Sequence, residues 1–188
     1  MAAARAGQMV SPADVLAFWF DQLTPQQHFT KDVALDTRIR ERFGATQAAA
    51  SRGELSAWRD SGDGRLAEVI VLDQFSRNLF RGDARAFASD TMALVLAQEA
   101  IRAGVDAALP PARRAFLYMP FMHSESLVIH ATAKQLFSQP GLEFQLKYEL
   151  AHASILERFG RYPHRNTALG RASTAEETAF LQQPGSSF

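Results

Sequence analysis

From Ser11 to the C-terminus, apolar residues recur at helical spacing, and each run is bracketed by a start and a stop signal. In SPADVLAFWFDQ, Ser11 can cap a helix, Pro12 suits its first position, and Asp14 favours its positive end. Val15, Leu16, Trp19 and Phe20 supply the apolar face. A second helix is expected from about Asp32 to Arg52, anchored by Val33, Leu35, Ile39 and Phe43 and stopped by Gly53. A third begins near Asp63, carries RLAEVIVLDQFSRNL and ends at Gly82. A fourth starts at Asp90 as its cap and stops at Gly104. A fifth starts behind Pro110 and Pro111 and is broken or kinked at Pro120. A sixth, capped by Ser124, runs through Phe137, and Pro140 and Gly141 separate it from the next. A seventh spans about Leu142 to Phe159 before Gly160. STAEETAFL opens an eighth, with Ser173 and Glu176 at capping-box spacing. VIVL has β-rich composition but lies inside a helical pattern and has no partner strand. The expected fold is therefore all-α: about eight helices, joined by short turns into stacked hairpins.

A chain of 188 residues suits one domain, here residues 1–188. Twenty basic residues balance twenty acidic ones, which argues against a broad footprint for nucleic acid. The absence of cysteine excludes disulfides and thiolate chemistry. MAAARAGQMV holds no apolar run long enough for an export signal, and no stretch reaches the roughly 18 apolar residues of a membrane span. These features point to a cytoplasmic protein without a membrane partner.

Three polar stretches interrupt the helical pattern. In LDQFSRNLFRG, Asp73 and Arg77 lie one helical turn apart behind Val69, and Arg81 can extend the line. Asp73 and Arg77 form an ion pair at the core's edge, or Arg77 and Arg81 offer a fork to an anion. In MHSES, Ser124 would cap the next helix, with Glu125 at its positive end and His123 just before it. There the helix field opposes protonation of His123, leaving an imidazole suited to acid–base work or to wedging helices apart. In ERFGRYPHRN, Gly160 and Pro163 force a turn that presents Arg161, His164, Arg165 and Asn166. That turn either compensates the helix dipole of the preceding segment or holds a carboxylate or phosphate. Glu149 and His152 have Glu-x-x-His spacing, but a di-iron bundle needs a second copy, so neither a metal nor another cofactor is expected. GDGR at Gly62 is no phosphate loop, and no nucleophile elbow occurs.

VLAFWF, LDQFSRNLFRGDARAFASD, FLYMPFMHSES, ERFGRYPHRNTALGRASTAEETAFL and the ending PGSSF together resemble a bacterial family known as domain of unknown function 924. The resemblance covers nearly the whole chain and implies an all-α fold similar to tetratricopeptide-like superhelices. It supplies no activity. Ser76, His28 and His130 stand where that family commonly carries proline, tryptophan and glutamine.

The leading expectation is a binding module. Arg77, Asn78, Arg81, His123, Glu125, Arg161, His164, Arg165 and Asn166 would line a polar concavity for a peptide or small anionic ligand. The alternative is a metal-free enzyme using His123, Glu125 or His164 for proton transfer on an anionic substrate. A third reading gives all three stretches a purely structural role.

Overall fold

A computed structural model describes residues 9–186. The export-signal reading of residues 1–8 and the last two residues of PGSSF lie outside that range. No strand occurs among the described residues. Helix α1, Pro12–Leu16, opens with a reciprocal cap in which Ser11 Oγ accepts from the Asp14 amide at 3.2 Å and Asp14 Oδ2 accepts from the Ser11 amide at 3.0 Å. It continues through a π-helical turn, Ala17–Asp21. Helix α2, Val33–Ser51, begins where Asp32 Oδ1 accepts from the Ala34 and Leu35 amides at 2.8 and 3.2 Å. Helix α3, Gly62–Ile70, passes through a second π turn, Val71–Phe75, into α4, Ser76–Leu79, without leaving right-handed helical backbone. Ser61 Oγ accepts from the Gly64 amide at 3.1 Å, and a Cβ at Gly64 would overlap the Trp58 carbonyl. Then come α5, Asp90–Arg102; α6, Val105–Ala108; α7, Pro111–Met122; α8, Leu127–Phe137; α9, Glu143–Phe159; and α10, Ala175–Leu181.

Every residue from Leu66 to Ser76 is buried. The cause is position: α3 packs against α1, α5 and α7, while the π turn and α4 pack against α2. A segment enclosed by several helices can bury consecutive apolar residues in an unbroken run. This accounts for the β-like composition of Val69, Ile70, Val71 and Leu72, each fully buried. Each such side chain contributes roughly 1.5–3 kcal/mol of burial. A smaller cluster of Ile155, Leu156, Tyr162, Phe159 and Phe180 ties α9 to the following turn and α10.

Four boundaries differ from the sequence expectation. Asp90 is the first residue of α5 and does not cap it; Ser89 holds the cap position. Asp90 is drawn instead to two arginines, described below. Pro120 does not end α7, which runs on to Met122 with the proline inside. A buried helix tolerates the N–H hydrogen bond lost at proline because packing, not propensity, holds it. Ser126, not Ser124, occupies the N-cap of α8, so Glu125 is not at the positive end of that helix. His123 instead closes α7. The final capping box uses Thr174 and Glu177, one residue beyond Ser173 and Glu176. No helix among the described residues is long and apolar enough to cross a membrane.

Candidate functional site

The π turn after α3 sets Asp73 into the interior. A π turn adds one residue to a helical circuit, and such turns often occur at functional sites. Asp73 is fully buried. Its Oδ1 accepts from His123 Nδ1 at 2.7 Å and lies 3.0 Å from Arg77 Nη1, and its Oδ2 accepts from Gln74 Nε2 at 2.6 Å. Burial pushes the carboxyl up, but Arg77, His123 and Gln74 together hold it well below the usual carboxylate range.

Arg77 reaches beyond Asp73 to the start of α5. Its Nη1 and Nη2 donate to Asp90 Oδ1 and Oδ2, each at 3.0 Å. Arg165 approaches Asp90 from the other side, donating from Nη1 to Oδ2 at 3.2 Å and from Nη2 to the His123 carbonyl at 2.8 Å. Its guanidinium lies between the rings of Phe87 and Tyr162, 4.6 and 4.7 Å from their centroids. Asp90 thus bridges two arginines that are 88 residues apart in sequence (165 − 77).

A cleft of about 450 Å³ opens on this network. Part of its lining is apolar: Ala84, Phe87, Ala88, Leu94, Pro120 and Leu169. The rest is polar: Asp90, Thr91, His123, Ser124, Glu125 and Arg165. Burial and the Arg77 charge keep the His123 imidazole below its ordinary range, against the pull of Asp73. Asp73, ionised, can only accept, so the proton of the neutral ring is on Nδ1. Nε2 makes no hydrogen bond among the described residues.

Of the residues picked out in the sequence, Arg77, His123, Glu125 and Arg165 meet around this cleft or its supporting network. The other five do not line it. Asn78 and Arg81 turn to Asp36 of α2, with Nδ2, Nε and Nη2 each 2.8 Å from its oxygens. Arg161 binds Glu177 of α10 through Nε and Nη2 at 2.6 and 2.8 Å. Asn166 donates to Ser173 Oγ at 3.0 Å and accepts from Arg171 Nε at 2.9 Å. His164 packs 5.6 Å from the Tyr162 ring, its pKa pushed down to about 3 by burial and the nearby Arg165. Each of the four arginines expected to present a fork to an anion therefore already faces a carboxylate. Glu125 serves the fold as well: it accepts from the Tyr162 amide at 2.7 Å and from both terminal nitrogens of Arg171 at 2.8 and 2.9 Å.

Several polar partners have no local signal in the sequence. Asp90 looks like a cap. Glu68, fully buried, takes a two-pronged bond from Arg59, both contacts at 2.7 Å. Glu149 and His152 do not act together: Glu149 Oε1 lies 2.6 Å from His130 Nδ1, whereas His152 Nδ1 bonds the Tyr148 carbonyl at 2.8 Å. His130 Nε2 lies 2.9 Å from the Ser124 carbonyl, which can only accept, so that nitrogen carries a proton. The Tyr162 hydroxyl donates to the Met122 carbonyl at 2.6 Å and sits 3.1 Å from His130 Nε2. No group of three or more potential metal-binding side chains comes together among the described residues.

A family model described as "Bacterial protein of unknown function (DUF924)" matches residues 15–185. The chain belongs to the DUF924 family. Among solved structures, it is similar to a protein of unknown function, ATU0120, from Agrobacterium tumefaciens. The two share 40% identity over 91% of this chain and 96% of that one, with a TM-score of 0.86. No match was found among curated proteins. Within this DUF924 chain, His130 is held from both ring nitrogens in the interior, away from the cleft lining.

Proposed function

We propose that this DUF924 protein binds a small molecule in the cleft between the start of α5, the end of α7 and the turn around Arg165. The observation that carries this reading is a cleft whose lining joins apolar side chains to His123, whose Nε2 makes no hydrogen bond among the described residues. Such a mixture of apolar surface and a few fixed polar groups suits a small ligand. The charges at the wall are already matched: Asp90 with Arg77 and Arg165, Glu125 with Arg171. With Asp90 set against Arg165, the wall carries no surplus charge to draw a free anion. The preferred ligand is therefore neutral, with an apolar body and an O–H or N–H that donates to His123.

Ligand-observed NMR tests this with benzyl alcohol, phenol and benzamide against benzoate, acetate and phosphate. The neutral set should bind, and Ala88→Trp, which fills the cleft from an exposed position on its wall, should abolish binding while leaving the circular dichroism unchanged. Binding confined to the anions, or indifferent to Ala88→Trp, refutes the reading.

A further inference from the structure

The pairing of Asp73 with His123 is more than ion-pair compensation requires. Asp73 already has Arg77 at 3.0 Å, and Arg77 also has Asp90. A neutral imidazole adds no charge to balance the carboxylate. What the contact does is fix the ring. With the proton on Nδ1 and the bond to Asp73 at 2.7 Å, the Nε2 lone pair is held in one direction on a residue that lines the cleft, its side chain 15% exposed. If Nε2 takes up a proton, the resulting imidazolium lies directly against an ionised carboxylate. That arrangement stabilises the charged ring only after proton transfer, which is the requirement for a general base.

A second group stands beside it. Arg165 donates one Nη2–H to the His123 carbonyl and one Nη1–H to Asp90. Nε is buried away from the cleft, but each terminal nitrogen has a second hydrogen beyond those bonded to Asp90 and His123. The cation is locked between Phe87 and Tyr162, so these donors are held in place before any ligand arrives. A base and a fixed cationic donor on one wall match a reaction in which a proton leaves one atom while negative charge develops on a neighbour.

Resting on the binding reading above, we propose that the cleft is a hydrolytic site for small neutral esters, in which His123 is the catalytic base, Asp73 positions it and Arg165 stabilises the oxyanion. Water loses a proton to His123 Nε2 as its oxygen bonds to the acyl carbon, and the carbonyl π electrons move onto the carbonyl oxygen, facing Arg165. The oxyanion pair then re-forms the carbonyl as the bond to the alcohol oxygen breaks, the bonding pair leaves on that oxygen, and Nε2 returns its proton to it. The products are one acid and one alcohol, with no cofactor or oxidant consumed. Neutral substrates fit because the wall carries no surplus charge.

The probe is 4-nitrophenyl acetate, followed by release of 4-nitrophenolate. Wild type should exceed His123→Gln at least ten-fold, with the rate flat at neutral pH and falling only below the ordinary histidine range. Asp73→Asn should retain part of the activity and shift that pH profile, because an amide N–H facing Nδ1 favours the other tautomer. Equal rates for wild type and His123→Gln, with circular dichroism unchanged, overturn the proposal. If fragments still bind in that case, the base is refuted while the binding reading stands; if Ala88→Trp alters neither binding nor rate, the cleft itself is refuted. Should His123→Gln fail to fold, histidine nitrogen NMR of the wild type decides: Nδ1–H with a bare Nε2 is expected, and Nε2–H overturns the proposal.

Discussion

Replacing Asp73 by alanine removes three acceptor contacts at once: to His123 Nδ1 at 2.7 Å, Arg77 Nη1 at 3.0 Å and Gln74 Nε2 at 2.6 Å. Arg77 keeps its two-pronged bond to Asp90, so no cation is left wholly unpaired. Two neutral donors are left facing a fully buried gap, and each such orphan costs about 1–3 kcal/mol. The expected loss is about 2–6 kcal/mol, the two orphaned donors taken together. Urea melts followed by circular dichroism at pH 7 measure it. The pH dependence gives a second check. Asp73 is ionised in the fold well below its ordinary value of 3.8, so the unfolded chain binds the proton first as pH falls. Its contribution is full above 3.8 and declines below, and the gap between wild type and variant should narrow by roughly 1.4 kcal/mol per pH unit there. A gap under about 0.5 kcal/mol at pH 7, the range of ordinary surface changes, refutes the reasoning. So does a gap that stays constant down to pH 2.

Gly64→Ala should destabilise the fold by about 2–3 kcal/mol or more in the same melts, because the new Cβ meets the Trp58 backbone carbonyl, which cannot swing aside. Tyr162→Phe should cost about 1–3 kcal/mol, since the Met122 carbonyl and His130 Nε2 both lose a buried partner. His152 and His164 are held neutral, each with its pKa pushed down to about 3 by burial, whereas the unfolded chain protonates them near 6.5. The unfolded chain therefore binds more protons between those values, so stability should fall as pH drops from 6.5 towards 3. His152→Gln should flatten that slope in pH-resolved melts, and an unchanged slope would show that His152 does not contribute to it.

The helices were legible because their signals are local. Asp32 as cap and Gly53 and Gly160 in left-handed backbone stand where the residue types place them. STAEE shows the limit of such signals. Ser173 with Glu176 and Thr174 with Glu177 have the same spacing, and the second register holds because Arg161 grips Glu177 from the preceding turn. The Asp73–Arg77 contact follows from one helical turn, but the full burial of Asp73 does not. It depends on α2, α5 and α7 closing around the segment. Asp90 was read as a cap because its partners lie 13 and 75 residues away. The same distance problem hides His130 and Glu149, which lie 19 residues apart.

The π turn at Val71–Phe75 makes the charge network a matter of angular phase. Each residue of a regular helix advances about 100° around the axis. The π turn takes one extra residue into the same circuit, so deleting one residue there would restore even winding with the flanks still in phase. Deleting one residue from the regular winding of α3 would instead rotate the core residues before it by roughly that angle relative to Arg77, Asn78 and Arg81. The bonds to Asp90 and Asp36 could not both be kept. Insertion and deletion, rather than substitution, are thus the sequence changes to which this cleft is most sensitive, and the length of the segment between Leu66 and Leu79 acts as a gear ratio between the core and the cleft.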